Sequence, residues 1–186
     1  GKTLMGLSFL ATALRRHEPA MYAGFYESAP RVLASAEGIG LRLRGPVDAG
    51  LLHLDWQAPV EMSLDVWGHR LFDAVRQRRP TRLFIDGFNA LRDSAAYPKR
   101  LAGFLTALLN ELRAQGVTTL ISAELHPIVG AGVDVPIAGV SPMVESTILL
   151  RYVELRSHLY RLIAIIKVRG SGHQTAMREF RITKDG

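Results

Sequence analysis

The sequence predicts an α/β fold: a mostly parallel sheet flanked by helices, with an antiparallel β-hairpin toward the C-terminus. Three observations predict it. Leu83, Phe84 and Ile85 form a short apolar run that ends on Asp86 and then Gly87, the pattern of a strand buried on both faces and followed by a turn. Similar short runs alternate with helical patterns from residue 3 to residue 124, which implies parallel strands joined by helical crossovers. Residues 147–154 and 159–168 are two β-rich runs with about four residues between them, as expected of a hairpin added to the sheet.

Leu4, Leu7, Ala11 and Leu14 recur at helical spacing and predict a helix over residues 3–16. Arg15, Arg16 and His17 close it, and Pro19 prevents its continuation. Residues 20–26 are small or aromatic and predict a strand that ends on Glu27. Ser28 then stands where a cap belongs, before a helix carrying Val32, Leu33 and Ala36 that stops near Gly38. Residues 38–62 hold no long helix; Leu41-Arg42-Leu43-Arg44 alternates, and Leu51-Leu52-His53-Leu54 reads as a further strand. Ser63 caps the next helix, with Leu64, Trp67, Leu71 and Val75 on one face and Pro80 after its end. Residues 81–85 form the central strand. Leu101, Phe104, Leu105, Leu108, Leu109 and Leu112 mark the clearest helix in the chain, which ends at Gln115-Gly116. Residues 117–123 are another buried strand, ending on Glu124. Residues 125–145 contain no Lys or Arg and read as a mobile loop. Gly170-Ser171-Gly172 is a turn, and the alternation over 178–183 predicts a last strand.

A chain of 186 residues is expected to form one domain. Cysteine is absent, which excludes a disulfide framework, a thiolate nucleophile and a cysteine zinc site, and fits a cytoplasmic protein. The six His show no metal-ligand spacing. No apolar stretch approaches the ~20 residues that a membrane span needs, and no signal-peptide pattern is visible. The net charge of +6 and pI of about 10.1 suit contact with phosphate, in nucleotides or nucleic acid, and equally a solvated basic surface. Arg76, Arg78 and Arg79 illustrate the second reading, because they fall at a helix end where they favour the dipole.

Two places carry candidate chemistry. Asp86 ends a buried strand, where open α/β sheets place their ligands. In P-loop NTPases an acid here holds Mg²⁺ against phosphate oxygens, while elsewhere Asp serves simply as a turn residue. The chain begins Gly1-Lys2-Thr3, and a helical pattern follows at once. This is the tail of the phosphate-loop motif G-x-x-x-x-G-K-[ST], in which the Lys meets the β- and γ-phosphates and the Ser/Thr hydroxyl meets Mg²⁺. The plainer reading is a helix start.

The string Ser146-Thr147-Ile148-Leu149-Leu150-Arg151-Tyr152-Val153-Glu154, followed by Ile163-Ala164-Ile165-Ile166-Lys167-Val168-Arg169-Gly170-Ser171 and Arg178-Glu179-Phe180, resembles the C-terminal part of KaiC-type ATPases of the RecA/RadA superfamily. Gly1-Lys2-Thr3, Phe25-Tyr26-Glu27-Ser28 and Asp86 fall in the matching order, so the resemblance covers almost the whole chain. It implies a RecA-like P-loop NTPase core over residues 1–186, with the first strand and most of the phosphate loop belonging ahead of Gly1. It also implies ATP with Mg²⁺ and a hexameric ring of identical subunits with nucleotide between them.

What the resemblance implies for single residues follows. Gly1, Lys2 and Thr3 would bind the triphosphate, with Thr3 and Asp86 on the metal. Members of the family carry two adjacent Glu after the second strand; here Tyr26 takes the first position and Glu27 the second. A Tyr with an ordinary pKa near ~10 is a poor base at neutral pH, so either Glu27 orients the attacking water or hydrolysis is slow. Glu27 could instead be a structural carboxylate. Lys167 and Arg169 lie two apart on a strand and so share a face. In the family this pair reaches the γ-phosphate held by the neighbouring subunit, where a cation supplied in trans stabilises transition-state charge; a solvated strand face is the alternative. Ser171 and His173 fall in the family's nucleotide-side turn. Clock members phosphorylate an adjacent Ser and Thr ahead of the strand that starts near Thr147. Here those positions are Ser141 and Pro142, and proline cannot accept phosphate, so a two-site phosphorylation cycle is excluded on this alignment.

Three functions remain open at this level: an ATP-hydrolysing ring that signals to a protein partner, a ring that holds ATP as structural glue, and a DNA-dependent ATPase of RecA/RadA type. The cation-free stretch 125–145 disfavours the third, because loops that face DNA need cations for phosphate contacts. Arg92, Lys99 and Arg100, near the other candidate loop, keep it open.

Overall fold

The structure is a computed structural model in which residues 1–60, 63–93, 95, 97–124 and 141–183 are described. Two compact units are present, one formed by Lys2–Glu124 and the other by Leu125–Thr183 with Gly1. The greater part of the stretch expected to be a mobile loop, residues 125–140, lies outside the described residues.

The first unit is built on four strands: β1 (Ala20–Gly24), β2 (Leu52–Trp56), β3 (Arg82–Asp86) and β4 (Thr118–Ile121). All neighbours are parallel, in the order β2-β1-β3-β4. The helices are α1 (Lys2–Leu14), α2 (Ala29–Glu37), α3 (Arg44–Asp48), α4 (Leu64–Arg78), α5 (Phe88–Asp93) and α6 (Leu101–Ala114). The parallel sheet flanked by helices is the architecture that the sequence predicts. Residues 41–44 do not continue as a strand; the chain turns through the short α3 instead, since Pro46 suits a first helical turn.

Every residue of β1 is buried, as are Leu83, Phe84, Ile85 and Asp86 of β3. Strands covered on both faces read as unbroken apolar runs, which is why the central strands were legible. One face carries Tyr22 and Phe84 against Leu7, Leu10, Ala13 and Leu14 of α1 and Val32 and Ala36 of α2. A second apolar group joins Phe25, Trp67 of α4 and Phe104 of α6, with ring centroids 5.5 and 6.1 Å apart. Leu64, Leu71 and Val75 of α4 and Leu105, Leu108 and Leu112 of α6 are buried as the helical spacing predicts.

The helix ends follow local chemistry. Ser63 accepts from the Val66 amide at 3.5 Å. Ser28 occupies the N-cap of α2, but its side chain makes no capping bond; its backbone oxygen accepts from the Arg31 and Val32 amides. Arg79 takes a left-handed conformation (φ 47°) and ends α4 by donating its amide to Val75 O, where Gly is more usual.

The second unit holds β5 (Ser146–Leu155), β6 (His158–Val168) and β7 (Arg178–Glu179). They form a separate antiparallel sheet in the order β5-β6-β7. The hairpin is therefore present, but it is not an extension of the parallel sheet. One edge of β6 is taken up by β5 along its length, and the other receives β7. The connection is two residues, Arg156 and Ser157, both at positive φ (51° and 60°). This is the mirror-image turn whose twist matches that of the strands. The last strand is shorter than the alternation over 178–183 suggests.

Gly6 lies where α1 crosses β3. A Cβ there would come within 2.0 Å of the Phe84 ring. Gly6→Ala is expected to destabilise the domain by about 1–3 kcal/mol through overpacking, read as a lower midpoint in urea denaturation. An unchanged midpoint would show that α1 is seated without this close contact.

Candidate functional site

The sheet order fixes where a ligand can sit. From β1 the chain moves outward to β2, then returns across β1 to place β3 and β4 on the other side. The direction of winding reverses between β1 and β3, and open α/β sheets bind ligands outside the carboxyl ends of the strands at such a point. In register, the last residues there are Gly24 and Asp86.

Asp86 is 9 % exposed and is surrounded by hydroxyl groups. Ser122, just past β4, donates to Asp86 Oδ1 at 2.5 Å. Thr3, in the first turn of α1, donates to Asp86 Oδ2 at 2.8 Å. The buried Tyr22 phenol donates to the same Oδ2 over a longer 3.4 Å. Ser122 also receives the Gly87 amide at 3.0 Å, so its single hydroxyl joins the carboxylate to the turn behind it. Gly87 adopts φ +88°, a conformation that side chains disfavour.

Lys2 pairs with Glu124 at 3.3 Å. Both partners are substantially exposed, so the pair itself adds at most about 1 kcal/mol. The backbone of Glu124 is held firmly: its amide donates to Asn89 Oδ1 at 2.6 Å, and Asn89 Nδ2 donates to its carbonyl at 3.1 Å. Asn89 is buried in α5. Glu27 follows β1 by a few residues, and its Oε2 is buried with no hydrogen-bond partner among the described residues. Tyr26 is 60 % exposed and lies against Gly87, where a Cβ would come within 2.7 Å of its ring. Partial burial, then Asp93 and Glu124, raise the pKa of Tyr26 above the ordinary phenol value. Burial raises that of Tyr22, with Asp86 and Glu27 adding to it. Neither phenol is a base near neutral pH.

Thr3 and Asp86 are thus brought together as the sequence suggests, with Lys2 one residue away on α1. Gly1 is exposed ahead of that helix. Glu27 lies in the same unit as Lys2, Thr3 and Asp86, whereas Lys167, Arg169, Ser171 and His173 belong, as Gly1 does, to the second unit. The strands slip register between Thr147 and Ile148: Ile148 pairs with Ile165 but Thr147 with Lys167, leaving Ile166 as a bulge. Pairing is regular from Lys167 on, and the Arg169 amide donates to Glu145 O at 2.7 Å. Lys167 and Arg169 therefore share a face after the bulge. The Arg169 guanidinium donates to the Pro142 carbonyl. Ser171 and His173 are exposed, and His173 lines an apolar groove with Ile163, Ile165 and Arg178. Pro142 lies in a 3-10 turn over Ser141–Met143.

Sequence reasoning missed Ser122, Asn89 and Tyr22. No motif marks them; Ser122 reaches the site from the end of β4, Tyr22 from the sheet interior and Asn89 from α5. Ser122→Ala removes a hydroxyl that satisfies two buried groups at once. It is expected to cost about 1–3 kcal/mol, measured by denaturant unfolding, with Ser122→Thr recovering part of the loss. Equal stability of the Ala variant would show that Asp86 and Gly87 find other partners.

A family model described as the KaiC ATPase matches residues 1–186. The circadian clock protein KaiC3 of Synechocystis is 28 % identical over the whole chain, which covers 36 % of that protein. The circadian clock oscillator protein KaiC of Synechococcus elongatus is 26 % identical, again with 36 % of its length covered. The circadian clock protein KaiC2 of Synechocystis is 25 % identical, with 33 % covered. The chain spans about a third of the length of these relatives. The match of the family model from the first residue to the last, on a parallel sheet with Thr3 and Asp86 joined at its strand ends, means that this chain belongs to the KaiC family of ATPases.

Proposed function

We propose that this domain binds ATP with Mg²⁺ at the carboxyl ends of β1 and β3 and hydrolyses it within a ring of identical subunits that signals to a protein partner. The observation that carries the reading is the 2.8 Å bond from Thr3 to Asp86. It joins the start of the chain to the end of the central strand, the two places from which P-loop NTPases hold a metal. The hydroxyl and carboxylate oxygens are hard donors of the kind Mg²⁺ takes, alongside phosphate oxygens and water. When bound, the metal would neutralise charge on the β- and γ-phosphates.

In this reading Thr3 and Asp86 hold the metal, and Lys2 leaves Glu124 for the triphosphate, with Gly1 ahead of it in the phosphate loop. Glu27 orients the attacking water, for which an unpartnered buried oxygen is suited. Lys167 and Arg169 act on the γ-phosphate of an adjacent subunit, and Ser171 and His173 line the nucleotide side of the same turn. We place the protein in the cytoplasm, which a chain without cysteine fits.

A second reading, a ring that holds ATP with negligible turnover, is favoured by Tyr26. It stands where the family has a first Glu, its pKa is raised, and its ring lies on Gly87. A DNA-dependent ATPase is less well supported, because Arg92 and Arg100 are engaged with Asp93 and Asp65 at 2.7 and 3.4 Å.

ATP turnover by the full-length protein separates these readings. Lys2→Ala is expected to abolish it, because a point charge on the phosphates is lost; equal turnover in the two proteins would end the proposal. Light scattering with and without ATP is expected to show assembly. ATP-dependent assembly without phosphate release would favour the structural ring.

A further inference from the structure

Tyr22 sits in the middle of β1, almost fully buried, directly opposite Phe84 of β3. The two rings meet edge to face, with centroids 5.7 Å apart and planes at 65°. Phenylalanine would make this contact equally well. A hydroxyl buried in an apolar layer is a liability unless its hydrogen is used, so the phenol oxygen calls for its own explanation.

Its path is set by Gly24. Side chains two apart on a strand share a face, and the Tyr22 ring leans along β1 over residue 24. A Cβ at Gly24 would come within 2.3 Å of the phenol oxygen and 2.4 Å of the ring. Gly24 is also the register partner of Asp86. The missing side chain therefore opens a notch beside Asp86, and through it the phenol reaches Oδ2 at 3.4 Å. Two other hydroxyls touch this carboxylate, and each also serves elsewhere. Ser122 receives the Gly87 amide, and Thr3 is assigned above to the metal. The phenol has no other hydrogen bond among the described residues. Glu27 adds to the electrostatic field on it, so it lies near both carboxylates of the site.

We propose that Tyr22 is a positioning residue for the metal-side carboxylate: its hydroxyl, admitted by the notch at Gly24, fixes the orientation of Asp86 toward Mg²⁺. This rests on the reading of Asp86 as the metal-side acid. Outer partners of metal ligands typically influence affinity by about 10–100-fold, and a single long bond belongs at the lower end of that range.

The test uses the full-length protein and a fluorescent ATP analogue, titrated with Mg²⁺ and separately in EDTA. Tyr22→Phe keeps the ring packing and removes only the oxygen. It is expected to raise the half-saturating Mg²⁺ concentration by about tenfold, with analogue binding in EDTA unchanged and the melting temperature lowered only slightly, as the loss of one long hydrogen bond requires. Turnover at saturating Mg²⁺ is expected to return toward the parent value. Gly24→Ala closes the notch and displaces the phenol, and is expected to raise the Mg²⁺ requirement at least as much. A Tyr22→Phe protein with the parental Mg²⁺ requirement would overturn the proposal. So would an equal loss of binding with and without the metal, which marks a general packing role. A parent protein whose analogue binding ignores Mg²⁺ would overturn the metal assignment of Asp86 itself, and this inference with it.

Discussion

A carboxylate buried at the end of a central strand has to be met by donors, since an unpaired buried acid costs several kcal/mol. Asp86 is met by hydroxyls from three separate parts of the chain: Thr3 in α1, Tyr22 in β1 and Ser122 after β4. Each bond ties one element of the first unit to the same two oxygens. The parallel sheet makes this possible, because it brings the carboxyl ends of β1, β3 and β4 side by side. An order that separated β1 from β3 would leave the acid without the Tyr22 hydroxyl, and one that separated β3 from β4 would leave it without Ser122.

Close approach around that carboxylate depends on residues with no side chain. Gly6 lets α1 settle on Phe84, Gly24 admits the Tyr22 phenol, and Gly87 accepts the Tyr26 ring. In each case the added Cβ would fall well inside contact distance, so these glycines serve packing as much as backbone freedom. Only Gly87 also requires a positive φ. The layer from α1 through Phe84 and Tyr22 is continuous with the polar cluster above it. The apolar core and the candidate site are thus one construction, and a change in the packing of α1 would move Thr3 relative to Asp86.

The second unit obeys different constraints. Its sheet is antiparallel, many of its large apolar side chains are exposed, and Ile148, Leu159, Ile165 and Met177 stand among them. The bulge at Ile166 resets the alternation just before Lys167. Plain alternation from Ile165 would carry Lys167 and Arg169 onto the Ile165 face; the bulge sends them to the face of Thr147 and Glu145. The shared face of the two cations was legible from their spacing, and which face it is was not.

The sequence determined the elements and their class. Unbroken apolar runs mark strands covered on both faces, Leu and Trp at helical spacing mark α4 and α6, and strands alternating with helices imply a parallel sheet. Gly1-Lys2-Thr3 and Asp86 could be named as partners because motif and strand end are local features. Tertiary structure decided the rest. It alone put Tyr22, Ser122 and Asn89 into the site, placed the hairpin in a sheet of its own, and made the Arg156-Ser157 turn tight without a glycine to announce it. The physical reason is that a hydrogen bond between residues 36 or 83 positions apart in the chain leaves no periodicity or spacing behind it. Such contacts exist only once the strand order has brought their ends together.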